Sequence, residues 1–255
     1  MNDYTTGIKE LDDIHGGIKK GSNILFIGPP MSGKDAILNH IMYHGLINNE
    51  NAVLMVTTRE SAIHILESFK ENKLDLPLSR LRFVDCVSKI LGSTAVETDN
   101  IKIANSPMDL TGIGVKISQF FEEFFMNKNI QKIQLHINSL STLLMYSNIQ
   151  TIFRFLYVIT GRIKAAGALG IYVIDSGMHD EQTIATLKQL CDGVIEIKSE
   201  NDRNFIRMVG LFPKSSPWFN YEIDRANVKI AGKNMTDRLE KSSFSSPSII
   251  SYLNK

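Results

Sequence analysis

Residues 28–34, read as Gly28-Pro29-Pro30-Met31-Ser32-Gly33-Lys34, restrict this chain to a small set of folds. They satisfy G-x-x-x-x-G-K, a loop whose backbone N–H groups wrap phosphates while the Lys reaches the β/γ oxygens. The motif stands between an apolar, strand-like run at 23–27 and a helix-like run at 36–42. Strand, loop and helix in that order are the context the motif needs, and the positive helix N-terminus adds to the charge of Lys34. Gly28, Pro29, Pro30, Met31, Ser32, Gly33, Lys34 and the following Asp35 are therefore the candidate cofactor-binding residues, with ATP or another nucleotide as the cofactor. The usual residue after the Lys is Ser or Thr, whose hydroxyl binds Mg²⁺. Here it is a carboxylate, Asp35, which argues against ordinary Mg²⁺ binding.

Strand-length apolar runs alternate with longer helix-period segments. That alternation predicts an α/β fold with a mainly parallel central sheet and crossover helices. Further strands are expected at 52–56, 81–84, 133–137 and 170–174, with helices at 62–70, 113–125 and 149–166. Three later runs, 194–197, 205–209 and 221–223, read as antiparallel strands at the C-terminal edge. No internal repeat is present. One domain is expected over 5–230, and a polar, flexible tail over 231–255. Within the tail, 249–253 is apolar enough to dock as a short plug, and residues 1–11 are expected against a neighbour or the domain's own sheet edge.

A chain of 255 residues with 43% hydrophobic content can bury one sizeable core. The formal net charge of +1 supplies no overall field for nucleic acid or an anionic membrane. Cys86 and Cys191, the only cysteines, form neither a disulfide framework nor a zinc pattern. No apolar run approaches the roughly 20 residues needed to span a bilayer, and the N-terminus lacks a signal-peptide core. A soluble cytoplasmic protein is the expectation.

Several dispersed motifs carry a resemblance. They are Thr6-Gly7-Ile8-Lys9-Glu10-Leu11-Asp12 with Gly16-Gly17-Ile18 and Gly21, then Ser106-Pro107-Met108-Asp109-Leu110-Thr111, Asn138-Ser139-Leu140-Ser141, and 185–193. Together with the loop they resemble the KaiC-like branch of the RecA superfamily, over about 5–230. Its shorter single-domain members are typical of archaea. The resemblance implies a RecA-type ATPase fold, ATP at subunit boundaries, and a homo-oligomer or a RecA/KaiC-type protein partner. It also exposes departures. The family's Mg²⁺-supporting Asp after the fourth strand is matched by Asn138. Its two adjacent glutamates after the second strand are matched by Arg59 and Glu60, leaving Glu60 as the one catalytic candidate. Its basic segment near the sixth strand is matched by 210–213, which has no basic residue.

Asp35 and Asn138 are thus the two degenerate metal positions. Asp35 carries two readings: a carboxylate that suits a helix N-terminus and repels phosphate, or a relocated Mg²⁺ ligand that keeps the acidic count. His40 and His44 have i, i+4 metal spacing but lack a third ligand, so they read as a helix-surface pair. His179 and Asp180 lie past the fifth strand, at the sheet edge where ligands bind in open α/β folds. The favoured function is a nucleotide-binding regulatory or scaffolding pseudo-ATPase. The alternatives are an active Mg²⁺-dependent ATPase using Asp35 and Glu60, or a RecA/RadA-type recombination accessory protein. Near-neutral charge and the lack of a basic or aromatic loop argue against nucleic acid.

Overall fold

The computed structural model describes residues 4–48, 50–92, 96–211, 215–224 and 227–232. The first half of the chain runs α1 (Lys9–His15), β1 (Asn23–Gly28), α2 (Lys34–Ile47), β2 (Ala52–Thr57), α3 (Ala62–Glu71), β3 (Leu81–Asp85) and β4 (Ile101–Ile103). It continues through α4 (Leu110–Glu122), β5 (Ile133–Ile137), α5 (Leu140–Tyr146), α6 (Ile149–Ala166) and β6 (Leu169–Asp175). The last elements are α7 (Glu181–Lys188), β7 (Gly193–Glu200), β8 (Arg203–Val209), β9 (Phe219–Asp224) and β10 (Asn227–Gly232).

These strands form one sheet in the order β10-β9-β8-β7-β1-β6-β5-β2-β3-β4. From β7 to β4 every neighbouring pair is parallel; from β7 to β10 every pair is antiparallel. The parallel strands β1, β2, β3, β5 and β6 are buried along their whole length, which is why they read as continuous apolar runs. One face of the sheet packs Ile37, Ile41 and Leu46 of α2 with Ile65 and Phe69 of α3. The other packs Ile113 and Phe120 of α4 with Ile152, Leu156 and Ile163 of α6. Caps fix the helix starts: Asp109 accepts from Gly112 N (2.9 Å), and Asn148 accepts from Thr151 N (2.9 Å).

The expected strands and the antiparallel edge are all present. β4 and β10, and the short helices α1, α5 and α7, were not foreseen. The amphipathic segment at 113–125 is a helix that starts earlier, at Leu110, and ends in a single π turn, Glu123–Asn127. Residues 4–11 lie on their own domain: Tyr4 bridges Ile18, and its hydroxyl donates to Gly167 O (3.0 Å). Asp12 closes this segment by accepting from Thr6 N (2.8 Å) and Gly7 N (2.9 Å). Strand β10 takes the described chain to Gly232, so residues 231 and 232, expected in the tail, belong to the sheet. The expected tail beyond it, with its plug at 249–253, lies outside the described residues, as do 1–3 and 212–214.

Candidate nucleotide site

Because β1, β2, β5 and β6 are parallel, their carboxyl ends share one edge of the sheet, and the motif loop sits there between β1 and α2. Gly33 takes φ 79° as the cap of α2 and has no side chain to bond the first-turn amides, so these are left to an outside acceptor. A Cβ at Gly33 would collide with the Ile223 side chain of β9, and one at Gly28 would meet Ile197 Cβ at 2.8 Å. Tyr221 of β9 donates its hydroxyl to Ser32 O (2.5 Å), so the antiparallel edge buttresses the loop.

Lys34 is buried and points back along the loop. Its Nζ donates to Pro29 O (2.5 Å) and pairs with Asp175 Oδ1 at the end of β6 (2.8 Å). Asp175 is held in turn by its own N–H donating to Ser141 Oγ (2.9 Å). The loop cation is therefore neutralised by a neighbouring strand.

Asp35 is not an uncompensated carboxylate. The Arg59 guanidinium reaches it from the end of β2, Nη2 to Oδ2 at 3.2 Å and Nη1 to Oδ1 at 3.5 Å. Arg59 thus pairs with Asp35 and not with the adjacent Glu60. Lys34, Asp35, Arg59 and Asp175 line a common cavity of about 480 Å³, with Met31, Ser139 and Thr142 among its other walls. Glu60 does not line it. Glu60 lines an adjacent cavity of about 360 Å³ that shares Asp35 and Arg59, and its Oε2 lies 3.9 Å from His64 Nε2. Burial, then the Asp35 charge, raises the Glu60 carboxyl above its ordinary pKa.

Asn138 and Asp35 do not form a shared metal position. Asn138 is buried, lies outside the loop cavity, and uses Oδ1 to accept from Thr58 N (2.8 Å) and Thr58 Oγ1 (3.1 Å). It ties β5 to the turn after β2. The two carboxylates that do reach the cavity each have a protein cation already. Among the described residues no group of three or more His, Cys, Asp or Glu could hold a metal ion. The donor set does not suit Mg²⁺.

Residues 21–197 match Family of unknown function (DUF7504). The chain belongs to that family. This DUF7504 chain is also 25% identical to a UPF0273 protein of Sulfurisphaera tokodaii over 144 residues, 55% of this chain and 47% of that protein. It is 25% identical to UPF0273 protein MJ1359 of Methanocaldococcus jannaschii over 114 residues, 43% of this chain and 46% of that one. The aligned region thus spans about half the length of these curated relatives. Among solved structures, the uncharacterized protein PH0321 of Pyrococcus horikoshii, in complex with an unknown peptide, superposes with TM-score 0.70 at 19% identity, covering 91% of this chain and all of that one. The KaiC-like protein PH0186 of the same organism gives TM-score 0.63 at 15% identity, covering 89% and 98%. The fold of this DUF7504 chain is KaiC-like and RecA-type.

None of the other candidates from the sequence lines the loop cavity. His40 is buried rather than surface-exposed: its Nδ1 accepts from Val228 N of β10 (3.4 Å). His44 Nε2 bonds Thr5 Oγ1 (3.1 Å). Asp180 caps α7 by accepting from Thr183 N (2.6 Å), and neither it nor His179 lines the loop cavity. Sequence reasoning missed Asp175. The available signal was its place at the carboxyl end of the strand beside β1, on the edge that gathers ligand residues in such sheets.

Proposed function

We propose that this protein binds ATP or a related nucleotide at the loop around Lys34 and serves as a regulatory or scaffolding subunit with hydrolysis close to background. One observation carries the reading: Lys34 and Arg59 face one cavity at an uncapped helix N-terminus, while Glu60 lies outside that cavity. Phosphoryl transfer depends on positioning and charge neutralisation. A site that can cradle phosphates, but whose two carboxylates are each paired to a protein cation, has no free carboxylate to activate water, so it retains binding and loses chemistry. The peptide held by PH0321 and the KaiC-like fold support a protein partner or self-association for this chain. The absence, among the described residues, of a helix able to cross a membrane accords with a soluble, cytoplasmic role.

The test pairs equilibrium nucleotide binding with steady-state phosphate release for wild type and Lys34→Ala. The expected result is binding that Lys34→Ala weakens about tenfold or more, the effect of losing a charged hydrogen bond. Phosphate release should be the same in both proteins. Robust Lys34-dependent release would overturn the proposal.

A further inference from the structure

Resting on nucleotide binding at the loop, we infer that the site takes its nucleotide without Mg²⁺, and that the Arg59 guanidinium supplies the positive charge a metal would bring. The misfit of the donor set is the starting point. A dication entering the cavity would meet Lys34 and Arg59, and both carboxylates there are already matched to them. Asn138, at the position that would support a metal, turns its oxygen to Thr58.

Arg59 is placed to act in the metal's stead. Its pair with Asp35 is half-exposed, 43% and 45% for the two side chains, and such a pair in water holds its partners weakly. Guanidinium has five N–H donors in a planar fork. Asp35 occupies the two terminal nitrogens in the free protein, and Nε–H makes no bond to another described residue. A phosphate oxygen recruits that edge, or displaces one Asp35 contact, and gains a charge-assisted bond in a partly enclosed site. Asp35 then acts as a positioning residue: it sits in the first turn of α2, anchors Arg59 over the loop, and its own charge stays neutralised there. The two departures at 35 and 59 thereby belong together.

The measurement is calorimetric titration of ATP into the full-length protein, once in EDTA and once in excess Mg²⁺, for wild type, Arg59→Ala, Arg59→Gln and Lys34→Ala. Wild-type affinity is expected to agree within about threefold between the two conditions, because no metal site contributes. Both Arg59 variants should bind about tenfold or more weakly in EDTA, having lost a charge-assisted bond. They should also recover affinity on adding Mg²⁺, since Asp35 is then unpaired and open to a cation. Wild-type binding that is about tenfold tighter with Mg²⁺, or Arg59 variants unchanged in EDTA, overturns the inference and leaves nucleotide binding standing. No wild-type binding in either condition overturns both. Arg59 is exposed enough that thermal melts of its variants should match wild type, which separates a site effect from misfolding.

Discussion

Lys34 Nζ lies between Pro29 O and the Asp175 carboxylate, so a phosphate arriving at the loop competes with a buried partner for its one cation. The pair is nearly closed to solvent, at 3% and 11% exposure. Removing one charge of such a pair leaves the other buried and uncompensated, at a cost of about 3 kcal/mol. Asp175→Asn is therefore expected to lower unfolding free energy by about that amount in urea titrations while tightening nucleotide binding. Added nucleotide should restore part of the lost stability, because it supplies the missing anion. A variant that is destabilised and also binds more weakly would show that Asp175 helps to hold the ligand. These pairings were the least legible part of the sequence. Asp35 and Arg59 each stand out as departures from a pattern, yet nothing in the linear order says that they meet, and Lys34 meets Asp175 only because β1 and β6 are neighbours.

At the scale of elements, the strands and long helices were legible because burial imposes a period: strands buried on both faces read as unbroken apolar runs, and α6 carries an apolar stripe. The elements that escaped lack such a period. α7 buries only Leu187, and β4 is three residues long. The role of β9 also escaped, since a buttress is defined by what it touches. Tyr221 is buried, and its hydroxyl donates to Ser32 O within the loop, while Ile223 fills the space a Cβ at Gly33 would take. Tyr221→Phe should cost about 1 kcal/mol in stability, the net worth of one such bond. It should also weaken nucleotide binding by loosening the loop. A Tyr221→Phe protein with wild-type affinity would show that the loop holds its shape without β9.

For the molecule as a whole, the sheet centre contains a titratable group that sets an acid limit on stability. His136 is fully buried on β5, and its Nε2 bonds Gln134 Oε1 at 2.9 Å. Burial lowers its pKa to about 3. The folded state thus resists a proton that the unfolded chain accepts near pH 6.5, so stability is complete above that pH. It falls as the pH drops toward 3. Between pH 6.5 and 5 the loss from this group is about 2 kcal/mol, at about 1.4 kcal/mol per unit. Urea unfolding at pH 7 and pH 5 should show this excess loss in wild type and not in His136→Leu. Equal losses in the two proteins would place the acid sensitivity elsewhere. The same sheet brings the motif loop, Asp175 and Arg59 to one edge, and this gathering joins Lys34, Asp35, Arg59 and Asp175 in a single site. Nucleotide bound on that edge is expected to stay intact. A crystal structure after soaking with ATP and Mg²⁺ tests it most directly. The expected result is an unhydrolysed triphosphate at the N-terminus of α2, with its phosphates on Lys34 and Arg59 and no metal against Asp35. ADP on the loop, a metal bound to Asp35, or an empty loop at saturating nucleotide would contradict it.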